Sequence, residues 1–253
     1  MRSNQSVKNK MAILLDYLRI TIKLITVSKV FKIKRERILG FRVNFFDYTI
    51  MYILFREIFL RQLYYFESKN KSPLVLDCGA NIGLATIFFK WMYPNSEIYS
   101  FEPDPRTFEI LEKNIKQNGL KNVHLYNAAV LDRDGKINFY INRVNPGLLE
   151  MSIKPHRKYK DKIEVNCLSL ANFIKDKVDF AKFDIEGSES IVIKHLHDTK
   201  KLDKIKELVL EYHFRIKGDD TKLSKFFKLL EDSGFEYQMD TKCVPLYSKD
   251  EYQ

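Results

Sequence analysis

The chain has 253 residues, enough for one large domain or for one domain with an appendage. Its three cysteines, Cys78, Cys167 and Cys243, lie far apart, which argues against a disulfide framework or a cysteine-rich zinc site and favours a reducing compartment. Most of the net charge of +10 belongs to residues 1–42, which contain eleven Lys and Arg but only two acids. A basic appendage on a nearly neutral body is expected, so the overall charge does not by itself predict a nucleic-acid partner.

Apolar residues recur at three- and four-residue steps from Met11 to Ile25, which predicts an amphipathic helix. Asp16, Arg19 and Lys23 interrupt the apolar run, so no transmembrane helix is predicted. No small-residue cleavage site follows it, which argues against a cleaved secretory signal. The pattern favours a cytoplasmic protein whose helix packs its apolar face on the main domain. Contact of residues 1–40 with an anionic membrane surface or with nucleic acid is the alternative.

Residues 30–46 alternate in two short segments, which predicts a β-hairpin. Asp47 can cap a second helix, Tyr48 to Phe66, whose many apolar and aromatic residues are expected in the core rather than in a site. We therefore expect residues 1–72 to form a helical and β-hairpin extension in front of a main domain, residues 73–253.

From residue 73 onward, strand and helix patterns alternate, which predicts a doubly wound, mostly parallel α/β sheet. The expected strands are Leu74 to Cys78, Glu97 to Phe101, Val123 to Tyr126, Val178 to Phe183 and Glu207 to Phe214. The expected helices are Leu84 to Met92, the segment ending at Gln117, one starting in Leu170 to Ile174, one from Ser188 onward and one ending at Leu230. Residues 132–168 break the alternation and are interpreted as an insertion with two short strands and a basic loop at 154–162.

The segment from Asp77 to Gly83 links the first of these strands to its helix, where open α/β sheets bind ligands. Gly79 and Gly83 let a backbone approach a ligand closely, and N–H groups at the helix start suit a ligand with acceptor groups. Asn81 stands where the dinucleotide fingerprint has its second glycine, so the loop is a poor match for NAD. Glu102 ends the next strand and can accept hydrogen bonds from both hydroxyls of a ribose. Loop and acid together favour a ribose-containing ligand.

Three further residues are expected beside the same pocket. Asp77 could orient the loop or meet a cationic group such as an α-amine. At the end of the third strand, Ala128 leaves room for a flat ring, and Asn127 could form a hydrogen bond with the edge of that ring.

Three motifs together resemble the FkbM-type S-adenosylmethionine-dependent methyltransferases. They are Asp77-Cys78-Gly79-Ala80-Asn81-Ile82-Gly83, Phe101-Glu102-Pro103 and Lys182-Phe183-Asp184-Ile185-Glu186-Gly187-Ser188-Glu189. The resemblance covers roughly residues 73–214 and implies a seven-stranded class I methyltransferase sheet, with Phe235 to Tyr247 as its C-terminal hairpin. It also implies S-adenosylmethionine as the cofactor. By the same resemblance, the methionine moiety would lie at Gly79, Ala80, Asn81 and Gly83, and the ribose at Glu102.

The candidate catalytic residues lie at the ends of the last two predicted strands: Asp184, Glu186, Glu211 and His213. Methyl transfer requires the acceptor to be aligned in line with the methyl group, and a hydroxyl acceptor must also lose its proton. We hypothesise that Asp184 positions or deprotonates the acceptor, with His213 as the competing base. A divalent cation at this cluster, or a structural pair between Glu211 and His213, is the alternative.

The resemblance therefore implies an S-adenosylmethionine-dependent methyltransferase, and we expect it to act on a hydroxyl of a sugar, glycan or other small metabolite. The acceptor class follows from the resemblance alone. One alternative is an RNA or DNA methyltransferase that uses the basic segments, although Asp184 to Gly187 lacks the Asn/Asp-Pro-Pro-aromatic motif of many base N-methylating enzymes. Another is a non-catalytic cofactor-binding protein at a membrane surface.

Overall fold

The structure, a computed structural model, describes residues 6–28, 31–141, 153, 161–212 and 222–239. Three predictions fall largely or wholly outside these ranges. They concern His213, the basic loop at 154–162 and most of the C-terminal hairpin.

The described residues form helices, strands and short turns of other helical types. The α-helices are α1 (Val7–Thr26), α2 (Tyr48–Phe55), α3 (Leu84–Met92), α4 (Pro105–Gln117), α5 (Glu189–Asp198) and α6 (Leu223–Asp232). The strands are β1 (Arg35–Ile38), β2 (Phe41–Asn44), β3 (Leu74–Cys78), β4 (Glu97–Phe101), β5 (Val123–Tyr126), β6 (Ala129–Leu131), β7 (Gly135–Tyr140), β8 (Lys162–Ser169), β9 (Phe180–Phe183) and β10 (Leu208–Leu210). A π-helical turn spans Arg56–Leu60, and 3₁₀ turns span Leu170–Phe173 and Leu202–Lys204.

The central sheet has five parallel strands in the order β10-β9-β3-β4-β5. The chain enters at β3, winds outward through β4 and β5, and returns on the other side of β3 through β9 and β10. The predicted doubly wound, mostly parallel sheet is confirmed, and the topological switch point lies between β3 and β9. In the described residues the central sheet has five strands and not the predicted seven. Phe235 to Met239 form no strand, and the rest of the predicted hairpin lies outside the described residues.

The middle of this sheet is covered on both faces, as a parallel sheet requires. Every residue of β9 is buried, and so are the last four residues of β3. The fourth predicted strand starts two residues late because Val178 makes only an isolated bridge, to Ile205. The fifth predicted strand is shortened to Leu208–Leu210 in the described residues, and just beyond it the Glu211 N–H donates to the Phe183 carbonyl at 2.8 Å.

Together with β6, which lies just before it, the insertion forms a separate sheet of three strands in the order β6-β8-β7. Strand β8 pairs antiparallel with β7 and parallel with β6. The two predicted short strands are confirmed, and β6 adds a third that sequence reasoning did not assign. The helix predicted to start in Leu170 to Ile174 is a single 3₁₀ turn.

The predicted hairpin before the main domain is confirmed as β1–β2. The cap of α2 is confirmed as well, because Asp47 Oδ1 accepts from the N–H groups of Thr49 and Ile50, at 2.8 and 3.1 Å. Side chains of this N-terminal region belong to the same buried cluster as the central sheet, with Phe55 and Val75 among its members.

The predicted end of α2 at Phe66 is wrong. The α-helix stops at Phe55, the π-helical turn follows, and Gln62 takes a positive φ of 57° that no helix continues through. The aromatic residues after this turn fold back onto the sheet, and the Phe66 ring stacks on Phe180 with centroids 4.6 Å apart. Tertiary packing of these rings therefore overrides the continuous helical pattern.

Helix α1 forms as predicted but packs through a different face. Ile13 and Ile20 are fully buried against the helix and turn of residues 48–60. The residues of the predicted apolar face are instead 45% to 63% exposed: Met11, Leu14, Leu15, Leu18, Ile22 and Ile25. The expectation that this face packs on the main domain is wrong, because α1 is apolar on two sides and periodicity cannot tell which side docks. Among the described residues, no helix is long and apolar enough to cross a membrane.

Candidate functional site

The loop after β3 lies at the switch point and touches both neighbouring strands. Gly79 takes a φ of +83°, and a Cβ atom there would lie 1.8 Å from the carbonyl oxygen of Asp184, which follows β9. On the other side, the Gly79 and Ala80 N–H groups donate to the Phe101 carbonyl at the end of β4. Glycine is therefore required at position 79 for the chain segments after β3 and β9 to approach this closely.

The second glycine of the loop faces a helix. Gly83 has a φ of +88°, and a Cβ atom there would lie 2.7 Å from Leu111 Cδ1 on α4. All five N–H groups of residues 79–83 donate within the protein. These five N–H groups are therefore already used inside the protein, whereas the prediction that N–H groups at the start of the helix meet a ligand stays a prediction.

Glu102 lies against this loop at the end of β4. Its side chain is 5% exposed. Its carboxylate accepts from the N–H of Asn81 (2.9 Å) and the N–H of Asp104 (3.0 Å). Burial raises the pKa of Glu102 to about 8. The Asn127 side-chain amide donates to the carbonyls of Glu102 and Pro103, at 2.9 and 3.1 Å, and so supports the segment that carries this carboxylate.

An open cavity of about 800 Å³, counting the space at its mouth, lies above these loops. The structure brings seven of the sequence-predicted residues to its wall: Gly79, Ala80, Asn81, Glu102, Ala128, Asp184 and Glu186. Four others lie off the wall: Asp77, Gly83, Asn127 and Glu211.

Lys182 lies in the third motif, where the sequence predicts no role for it, and in the structure it is the buried cation of the site. Its Nζ donates to the Gly79 carbonyl (2.6 Å) and lies 3.6 Å from one carboxylate oxygen each of Asp77 and Asp184. Burial disfavours the charged amine, but Tyr64, Asp184 and Asp77 raise the pKa of Lys182 above its ordinary value. A lysine inside the otherwise apolar strand β9 is the signal that could have identified it.

Asp77 is fully buried beneath the loop. Besides its ion pair with Lys182, it accepts a hydrogen bond of 2.6 Å from Thr86 Oγ1 on α3. Burial raises the pKa of the Asp77 carboxyl, and Lys182 opposes that shift. Of the two roles expected for Asp77, its position therefore favours orientation of the loop, with Lys182 as its cation.

Part of the cavity wall comes from the N-terminal region, which sequence reasoning missed. Leu54, Ile58 and Tyr64 line the cavity, and the Tyr64 ring centroid lies 5.3 Å from Lys182 Nζ. Burial raises the pKa of the Tyr64 hydroxyl above its ordinary value. The run of aromatic residues before β3 is a weak signal, because it does not show which rings turn toward the cavity.

The four candidate catalytic residues separate in the structure. Asp184 lines the cavity with its side chain 26% exposed, and Glu186 lines it with a positive φ of 50°. Glu211 is exposed and lies off the wall. His213 lies outside the described residues. Within the described ranges, no group of three or more His, Cys, Asp and Glu could hold a metal ion.

A comparison of the whole domain with known protein families agrees with the cavity, its acidic wall and the parallel sheet. A family model described as the methyltransferase FkbM domain matches residues 77–237, which is more than half of the chain. The chain belongs to the FkbM methyltransferase family. It is therefore a methyltransferase, and the predicted resemblance is confirmed.

Relatives of this FkbM-family chain carry methyltransferase names. Methyltransferase 1 of Beauveria bassiana is 26% identical over 201 residues, covering 71% of this chain and 79% of the relative. The 31-O-demethyl-FK506 methyltransferase FkbM of Streptomyces tacrolimicus is 25% identical over 215 residues, covering 72% and 80%. The 2-O-methyltransferase NoeI of Sinorhizobium fredii is 26% identical over 161 residues, covering 57% and 65%.

Proposed function

We propose that this methyltransferase binds S-adenosylmethionine in the cavity and methylates a hydroxyl of a sugar, glycan or other small molecule. The observation that carries the proposal is the convergence of the Gly79 loop, buried Glu102 and Asp184 on one cavity at the switch point. Two relatives whose names state O-methylation support a hydroxyl acceptor.

The chemistry of the cavity wall fits this cofactor. The wall carries the carboxylates of Asp184 and Glu186 beside the buried carboxyl group of Glu102, while Lys182 is its buried cation. An excess of carboxylates favours a ligand that carries positive charge, as S-adenosylmethionine does at its sulfonium and its ammonium group. Glu102 is the residue that would hold the ribose, because a carboxylate can accept hydrogen bonds from two neighbouring hydroxyls. Ala128 leaves room beside it for the adenine.

When bound, S-adenosylmethionine supplies an activated methyl group to an oxygen nucleophile. The role of the chain is to align the acceptor and to take its proton. Asp184 is the carboxylate that would accept this proton, and Lys182 forms an ion pair with one of its oxygens. Leu54, Ile58 and Tyr64 form an apolar side that would exclude water from the acceptor. Glu186 is the second wall carboxylate that could orient the acceptor.

The test is release of S-adenosylhomocysteine by the full chain in the presence of a panel of sugars and small hydroxyl compounds. We expect Asp184→Asn to lower kcat by about 100-fold or more while leaving cofactor affinity nearly unchanged, because the amide cannot accept the proton. Asp198→Asn, on the exposed face of α5, is the matched control and should retain wild-type turnover.

His213→Ala separates the competing base from Asp184 in the same assay. If the Asp184→Asn variant keeps wild-type turnover and the His213→Ala variant loses it, the proton acceptor is the histidine. If neither change lowers turnover, the assignment of a general base to these strand ends is wrong.

A further inference from the structure

Helix α1 presents a continuous apolar surface that no described residue covers. We define the α1 stripe as Met11, Leu14, Leu15, Leu18, Ile22 and Ile25, which are 45% to 63% exposed. The three- and four-residue steps place these side chains on one side of the helix, over a length of about 20 Å. The fully buried Ile13 and Ile20 already fix α1 to the protein from another side. Large exposed apolar surfaces of this kind mark interaction sites.

The exposed charge of residues 1–42, which include the stripe, has one sign. The two acids among residues 1–42 are both engaged in ion pairs: Asp16 with Arg19 at 2.8 Å, and Glu36 with Lys23 at 3.0 Å. Six basic residues of the same region are exposed: Lys8, Lys32, Lys34, Arg35, Arg37 and Arg42. The partner of the stripe must therefore accept both aliphatic side chains and a concentration of positive charge.

Two other partners fit these observations less well. A second copy of the chain would place two strongly basic segments against each other, and such like charges repel. A nucleic acid would neutralise the basic residues, but its bases stack on aromatic rings and guanidinium planes rather than on Leu and Ile. The stripe would then stay exposed. An anionic bilayer takes both features at once, because the acyl chains bury the stripe and the headgroups attract the lysines and arginines.

We propose that the α1 stripe docks the protein on the surface of an anionic lipid bilayer, with α1 lying in the plane of the interface. This inference is independent of the proposed cofactor site, because no stripe residue lines the cavity. It also has a consequence for that site. Helix α1 packs on residues 48–60, which supply Leu54 and Ile58 to the cavity wall, so the docked helix would be in contact with the segment that forms part of that wall.

The test is flotation of the full-length protein with vesicles of phosphatidylcholine alone or mixed with phosphatidylglycerol. We expect binding to the anionic vesicles to be at least about tenfold stronger than to the neutral ones and to weaken at high salt. The variant Leu15→Gln/Leu18→Gln/Ile22→Gln should bind anionic vesicles at least about tenfold more weakly, because it no longer buries the stripe. These three side chains are exposed, so thermal unfolding of the variant should match the wild type.

The matched control changes two exposed leucines elsewhere, Leu63→Gln and Leu223→Gln, which are 39% and 40% exposed. This control should float like the wild type. The proposal is overturned if the wild type does not float with anionic vesicles, or if the stripe variant floats as well as the wild type. It is also overturned if light scattering without lipid shows a dimer that the stripe variant abolishes, since a second copy would then cover the stripe.

Discussion

Lys182 occupies a position in a central strand that an apolar residue normally fills. A buried charge is tolerated only where other groups satisfy it, and here the Gly79 carbonyl and the carboxylates of Asp77 and Asp184 do so. These groups come from the ends of two different strands, β3 and β9. The single ammonium group therefore ties the loop that would hold the cofactor to the residue that would meet the acceptor.

Removal of this cation should be costly. Lys182→Met leaves the buried Asp77 carboxylate without its counter-charge, and we expect the free energy of unfolding to fall by about 3–5 kcal/mol. Urea unfolding measures the loss. In the double variant with Asp77→Asn, part of this loss should be recovered, because no buried charge is then left without a partner. Strictly additive effects of the two substitutions would contradict the proposed pairing.

Glu102 should make the stability of the ligand-free protein depend on pH. Burial raises its pKa from an ordinary 4.5 to about 8, so between these values the folded protein binds a proton that the unfolded chain has lost. The free energy of unfolding should therefore fall as pH rises through this window, by up to about 1.4 kcal/mol per pH unit, and the Glu102 contribution should level off above it. We expect Glu102→Gln to lack this component in urea unfolding across the window. Equal pH dependence in the two proteins would show that Glu102 does not hold its proton.

At the scale of elements, the loop between β3 and α3 is shaped by close contact with the chain after β9. In Gly79→Ala the new Cβ atom would meet the Asp184 carbonyl at 1.8 Å, so that the backbone must move. We expect a loss of at least about 3 kcal/mol in unfolding free energy. Gly119→Ala is the matched control. It also has a positive φ, +60°, but nothing lies within 4 Å, so only about 1 kcal/mol of strain is expected. Similar losses in both variants would mean that the close approach is unimportant.

Elements bounded by local signals were predictable from the sequence. The ranges of β3, α3, β4 and β5 match the predicted ranges, because apolar runs there end at turns or caps. The end of α2 and the docking face of α1 were predicted wrongly. In both cases the local pattern is compatible with two arrangements, and packing against side chains distant in sequence decides between them. For the segment after α2, one such contact is the stacking of Phe66 on Phe180.

At the scale of the whole molecule, the cavity joins parts of the chain that are far apart in sequence. Residues at the strand ends, such as Glu102 and Asp184, were predictable because a parallel sheet brings the carboxyl ends of its strands together. Leu54, Ile58 and Tyr64 were not, because they precede the first strand of this sheet and only the fold carries them to the cavity. The same holds for Lys182, whose role depends on partners from another strand.

The most direct test of the proposed cofactor site is calorimetric titration of the full-length protein with S-adenosylmethionine. We predict binding of one molecule per chain with a dissociation constant in the micromolar range. In Glu102→Ala the affinity should fall at least about tenfold, because the side chain that accepts the hydrogen bonds of the ribose hydroxyls is lost. Absence of binding to the wild type, or equal affinity in the variant, would contradict the assignment of this cavity to the methyl donor.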